Sequence, residues 1–378
     1  MPDTTNNARG NTARGADEAM GRGRDRGRDR DTRAGNGDPR VIVMVGSGGV
    51  GKTTSAAALA IGLADTGLRT VVLTIDPAKR LAQALGLDEL GDTPQPVAGQ
   101  DRLHALMLDQ NARFGALLAE AGAPELADNR VTATVARSFG GLQEYLAMDL
   151  LAKLHDSGEW DAIVVDTPPA LSALDFLDSA DRVRRLVRHP LMRLLTSSSS
   201  LVGTGVMLLG QIVGSETLAQ AAAFARGLRP VADSMLVRSQ AMRDRLGDAG
   251  EFLLVTAPTA EALREARSFA GSLGEQGLPV TSVVVNRTHQ VPVALRGREL
   301  NWGDAAGGGV ESGAGAMAAM RRIHESRVEL AAAEEKQINR FARRFPDAPL
   351  THVPSMSGGV TSIDDLRTLA KRILPALD

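Results

Sequence analysis

Apolar residues fall into two rhythms along this chain. Short unbroken runs recur at Val41 to Val45, Thr70 to Ile75, Leu103 to Leu108, Ala162 to Val165, Phe252 to Thr256, Val280 to Val285 and Leu350 to Val353. Runs of this length, bounded by turn formers and not alternating with polar residues, predict strands buried on both faces. Between them apolar positions return at three- and four-residue steps. That period predicts helices over Thr53 to Thr66, much of 110–157, Thr259 to Gln276, Met317 to Phe345 and Ser362 to Leu374. Strand and helix alternating in this way predict an α/β fold with a mostly parallel, doubly wound sheet and helices on both faces.

Some segments lie outside the rhythm. Residues 1–38 carry eight Arg and seven Asp or Glu with almost nothing apolar, and read as a disordered, solvated tail. Residues 39–378 then read as one domain. Two long helical stretches without strands, about 110–157 and 180–246, are expected to be insertions forming a helical subdomain. The run 201–213 is too short to span a bilayer and reads as internal packing or an apolar docking surface. A Gly- and Ala-rich stretch, 296–316, is expected to be a mobile loop.

The first strand runs directly into GSGGVGKTT, residues 46–54. Gly46, four residues, Gly51, Lys52 and Thr53 fit the phosphate-cradling loop, and the flanking strand and helix are the context the motif needs. With Ser47, Gly48, Gly49, Val50 and Thr54, these residues are the candidate nucleotide contacts, and the fold becomes a P-loop NTPase. The glycines let successive amides turn inward, and the helix start adds partial positive charge. Lys52 is expected on the β/γ-phosphates and Thr53 on Mg²⁺. Asp166 closes the Ala162 strand at the end where open α/β sheets gather ligands, so it is expected to meet the same Mg²⁺. The alternative is a helix-capping or turn carboxylate before Pro168 and Pro169.

Composition narrows the chemistry. The net charge of -2 gives no global attraction to nucleic acid, so no such partner is expected. No cysteine is present, which removes disulfides and thiolate metal sites. Aromatic residues make up 3%, so the core is expected to be aliphatic. With no secretion signal and no transmembrane segment apparent, a cytoplasmic protein is expected.

Four motifs in order resemble one family: GSGGVGKTT at 46–54, TIDPA at 74–78, VVDTPPALSALDFL at 165–178 and VVVNRT at 283–288. Together they resemble the ArsA type of P-loop ATPase, which drives arsenite pumps or targets tail-anchored proteins. The resemblance implies that Asp76 positions the attacking water, that the segments after Asp76 and Asp166 are nucleotide switches, and that Asn286 hydrogen-bonds adenine. Asn286 could also be a turn residue. No N-K-x-D run supports guanine.

Three departures follow. The family's loop carries a lysine that reaches a dimer partner's phosphates, and Ser47 stands there instead. The resemblance therefore implies a slow homodimer or a heterodimer with a lysine-bearing paralogue. The missing cysteines argue against arsenite, and against a zinc-clamped dimer. The expected function is a Mg²⁺-dependent, ATP-hydrolysing conformational switch acting on a protein or membrane-protein client. Met192, Met207, Met235 and Met242 suit a client groove, though they also suit core filling. The alternatives are a ParA/MinD-like positioning ATPase, or a regulatory module that holds ATP with little turnover.

Overall fold

The computed structural model describes residues 37–120, 142–168, 236–291 and 311–377, with Gly122, Pro124 and Ser234 besides. The expected tail up to residue 36, residues 121, 123 and 125–141 of the first insertion, most of the second, the glycine-rich stretch up to 310 and three of the four groove methionines lie outside these residues. Among the described residues, eight strands form one sheet in the order β3-β4-β2-β5-β1-β6-β7-β8. They are β1 (Arg40–Val45), β2 (Thr70–Thr74), β3 (Gln95–Pro96), β4 (Leu103–Met107), β5 (Ala162–Asp166), β6 (Glu251–Thr256), β7 (Ser282–Thr288) and β8 (Leu350–Pro354). All neighbours pair in parallel except β3 with β4. The doubly wound α/β fold is therefore as the apolar runs predict. The two-residue β3 was not anticipated.

Strand alternation divides the core in two. Val41, Val43 and Val45 of β1 join one apolar cluster, and Ile42 and Met44 join another on the opposite face. The first is covered by α3 (Gln110–Glu120), α4 (Leu142–Asp156), α5 (Ala260–Glu275) and the C-terminal part of α6 (Glu311–Ala342). The second is covered by α1 (Lys52–Asp65), the short α2 (Arg80–Ala84) and α7 (Ile363–Ile373).

The helix α1 has alanine on nearly every side because it is buried nearly all round: Ala56, Ala57, Ala58 and Ala60 are fully buried. Small side chains let α7 come close. A Cβ on Gly62 would press into Ala370 and Leu374. Ser362 and Asp365 start α7 with a reciprocal capping box.

On the other face, Arg113 of α3 donates to Asp149 of α4, and Arg238, in the helical residues 236–249, lies 3.2 Å from the same carboxylate. Asp149 is fully buried, so two guanidinium groups compensate one desolvated charge. Three helices are thereby fastened at one point.

Two boundaries differ from expectation. The helix expected from Met317 begins at Glu311, so 311–316 are helical rather than loop. The strand expected over Val280 to Val285 runs instead from Ser282 to Thr288, with a register shift between Asn286 and Thr288 against β8. Among the described residues, no helix is long and apolar enough to cross a membrane.

Candidate nucleotide site

Parallel pairing brings the C-terminal ends of β1, β2, β5 and β7 to one edge of the sheet. That placement gathers most of the residues singled out above. The register sets Met44 of β1 and Thr74 of β2 on either side of Asp166. Residues 46–51 leave β1 at its switch point, with β5 on one side and β6 on the other.

Three of the loop's four glycines are required individually. A Cβ on Gly46 would collide with the Val255 carbonyl of β6, and Gly49 and Gly51 have φ of +76° and +98°. Nothing lies within 4 Å of a Cβ built on Gly48 or Gly49. Lys52 is 7% exposed and folds back, its Nζ donating at 2.9 Å to the carbonyls of both Gly46 and Ser47. Burial lowers its proton affinity, while Asp166 and Asp76 act in the opposite direction. Ser47 is buried, and Thr53 and Thr54 are partly exposed.

Asp166 is fully buried, and this drives its pKa up to about 6 against the side chains of Thr53 and Thr74 and the Lys52 charge. Its Oδ2 accepts from Thr74 Oγ1 at 3.0 Å, and its Oδ1 is buried without a hydrogen-bond partner. Such an orphaned oxygen is costly unless something fills its valence. Among the described residues, no group of three or more His, Asp or Glu could hold a metal alone. The orphaned Oδ1 fits a Mg²⁺ that phosphate oxygens and water would complete, and Thr53 and Asp166 would hold it.

Asp76 lies beyond β2. Its Oδ1 accepts from the Ala78 N–H at 3.0 Å, and its Oδ2 from Arg80 Nη1 at 3.3 Å. The two carboxylate loops share one hydroxyl, because Thr74 Oγ1 donates to Asp166 and accepts from the Asp76 N–H at 3.3 Å. The Asp166 carbonyl also accepts from the Ile75 N–H, and Gln143 of α4 donates to the Ile75 carbonyl at 2.8 Å. Neither Thr74 nor Gln143 was singled out in the sequence. Thr74 had a signal, a polar residue at a buried strand end two positions before the carboxylate; Gln143 had none.

Asn286 is placed differently from the expectation of a base contact alone. Its Nδ2 donates to the Val50 carbonyl at 2.8 Å, and its Oδ1 accepts from the Arg287 N–H, whose φ is +60°. The side chain thus latches the phosphate loop to β7. A Cβ on Gly51 would strike that amide, which explains the glycine. One N–H and one lone pair remain free for a base. Asn286→Ala leaves the Val50 carbonyl unpaired, which is expected to cost about 1 kcal/mol and weaken ATP binding. Faster amide exchange across 46–51 is the signature to measure, and unaltered exchange would refute the latch.

Comparison with known proteins follows the same outline. A family model described as anion-transporting ATPase matches residues 39–293. The chain is 28% identical to ATPase ARSA1 of Chlamydomonas reinhardtii over 67% of its own length and 35% of that protein's. It is 28% identical to ATPase GET3B of Arabidopsis thaliana, over 64% of this chain and 62% of the relative. ATPase ARSA2 of Chlamydomonas reinhardtii is 23% identical over 88% of this chain and 83% of the relative. The chain thus spans about a third of one of these relatives and less than two thirds of another.

Proposed function

The chain belongs to the anion-transporting ATPase family, and from that premise we propose that it hydrolyses ATP with Mg²⁺ and uses the cycle to switch the conformation of a client-binding surface. The observation that supports this best is the Thr74 hydroxyl, which couples the Asp76 loop to Asp166. A ligand that engages Asp166 is felt by the backbone that carries Asp76. Gln143 extends the coupling to α4, whose Asp149 holds α3 and the helical residues 236–249. Site and helical cover are joined by short polar contacts, the kind of element a γ-phosphate can bias.

In this reading the phosphate loop and Lys52 bind the triphosphate, and Asp76 orients the attacking water. The water oxygen bonds to the γ-phosphorus as the phosphorus–bridging-oxygen bond breaks. Its electron pair leaves with ADP, and the water's proton ends on the released phosphate. Mg²⁺, when bound, would supply charge neutralisation at the phosphate oxygens, and Thr53 and Asp166 would hold it. The Asn286 amide selects adenine. Ser47 brings no charge for a partner's site, so the working form is a slow homodimer or a pair with a lysine-bearing paralogue. The client is a protein or membrane-protein segment, and the setting is the cytoplasm.

The test is phosphate release by the purified protein, together with titration by a fluorescent ATP analogue. Saturable binding competed by ATP and poorly by GTP is expected, with release abolished by EDTA. Absence of binding would overturn the reading.

A further inference from the structure

Two adjacent cations follow β2, Lys79 at the end of the loop and Arg80 at the start of α2, held in different ways. Lys79 Nζ donates to Glu89 at 2.8 Å. Arg80 turns instead to Asp76, through one contact of 3.3 Å with 67% of its side chain exposed. A contact at the long end of the hydrogen-bond range, made by an exposed pair, is weak. The guanidinium is therefore easily withdrawn.

The same guanidinium is close enough to the phosphate loop for its charge to act on Lys52, lowering that ammonium's proton affinity. Arg80 thus contacts Asp76 and lies within electrostatic reach of Lys52, the two groups that would bracket a γ-phosphate. A triphosphate brings more negative charge than Lys52 alone can meet, and Ser47 adds none. Phosphoryl transfer depends on cations at the oxygens where charge develops. A planar guanidinium also suits phosphate better than a single carboxylate oxygen held end-on.

We infer that Arg80 moves from Asp76 to the γ-phosphate when ATP binds, becoming a charge-stabilising catalytic residue supplied within the same chain. Its departure has a second effect. With its cation removed, Asp76 is free to accept a hydrogen bond from the attacking water. In the nucleotide-free protein the pair is a closed lock, and ATP is the key. This rests on the ATPase reading above.

The experiment compares wild type, Arg80→Ala, Arg80→Lys and Lys79→Ala, reading phosphate release, ADP affinity, and affinity for ADP with aluminium fluoride, which mimics the transferring phosphoryl group. For Arg80→Ala, kcat is expected to fall by about tenfold or more, as is affinity for the fluoride complex, while ADP affinity changes less than about threefold. Preserved ADP binding also shows that the variant is folded. Arg80→Lys is expected to recover part of the loss, and Lys79→Ala to match wild type. If wild type hydrolyses ATP and Arg80→Ala matches or exceeds it, Arg80 only masks Asp76, and the inference alone fails. If wild type neither hydrolyses ATP nor binds the fluoride complex, the ATPase reading fails and takes this inference with it.

Discussion

Asp76→Asn is expected to lower phosphate release by about a hundredfold or more, the usual size of a lost base or water-orienting carboxylate, while ATP affinity stays within about threefold. The substitution isolates the charge. An Asn side chain keeps an oxygen that can accept from the Ala78 N–H, so the turn after β2 is retained. It loses the carboxylate that faces Arg80 and would hold the water. Single-turnover release with equilibrium nucleotide titration separates the two effects. Unchanged turnover would remove Asp76 from the mechanism and favour a module that only holds ATP. The bound but uncleaved state would also be the form in which to look for the proposed client or second ATPase subunit.

Asp166→Asn is expected to move stability and activity in opposite directions. The carboxyl's folded pKa of about 6 lies above its ordinary value of 3.8, because burial disfavours the ionised form. The folded state therefore binds this proton more tightly than the unfolded state. The stability tied to the proton is fully present below pH 4 and is lost as pH rises through 6. At pH 8 the wild type carries a buried, half-satisfied anion, and the amide relieves it. The separation of the two pKa values corresponds to at most about 3 kcal/mol. The gain is smaller in practice, because Lys52 loses a counter-charge that favours its protonation.

Denaturant unfolding of the metal-free protein should show a gain of about 1–3 kcal/mol at pH 8 that disappears towards pH 4. In the same variant, Mg²⁺ should no longer tighten ATP binding, and turnover should collapse. A variant less stable at pH 8 would mean that the carboxylate is satisfied within the fold and is not held for a cation. Stability gained at the expense of function marks a site strained for its task.

What was legible in the sequence follows from how local each signal is. The phosphate loop was legible because its glycines, lysine and threonine act within one strand–turn–helix. Asp166 was legible because it closes an apolar run. The coupling through Thr74 was not, because it depends on β2 and β5 lying side by side in one register, set 92 residues apart. Asn286 could be picked out, but its bond to Val50 spans 236 positions and only the sheet order reveals it.

β3 was missed because two residues, one of them Pro96, present no periodicity, and a proline is tolerated only at such an edge. The glycines at 313 and 315 read as loop, yet α6 runs through them. Each costs about 1 kcal/mol in a helix, and a long helix beyond them propagates at little further expense.

The close packing of α7 on α1 has a bearing on synthesis. The helix that begins at Lys52 buries its flank against residues made some three hundred positions later, with Arg367 closing onto Asp65. A nascent chain can expose a finished phosphate loop while that flank is still bare. Full nucleotide affinity is therefore expected only once residues 363–373 have been made, because until then the alanine-rich flank lacks the helix that covers it.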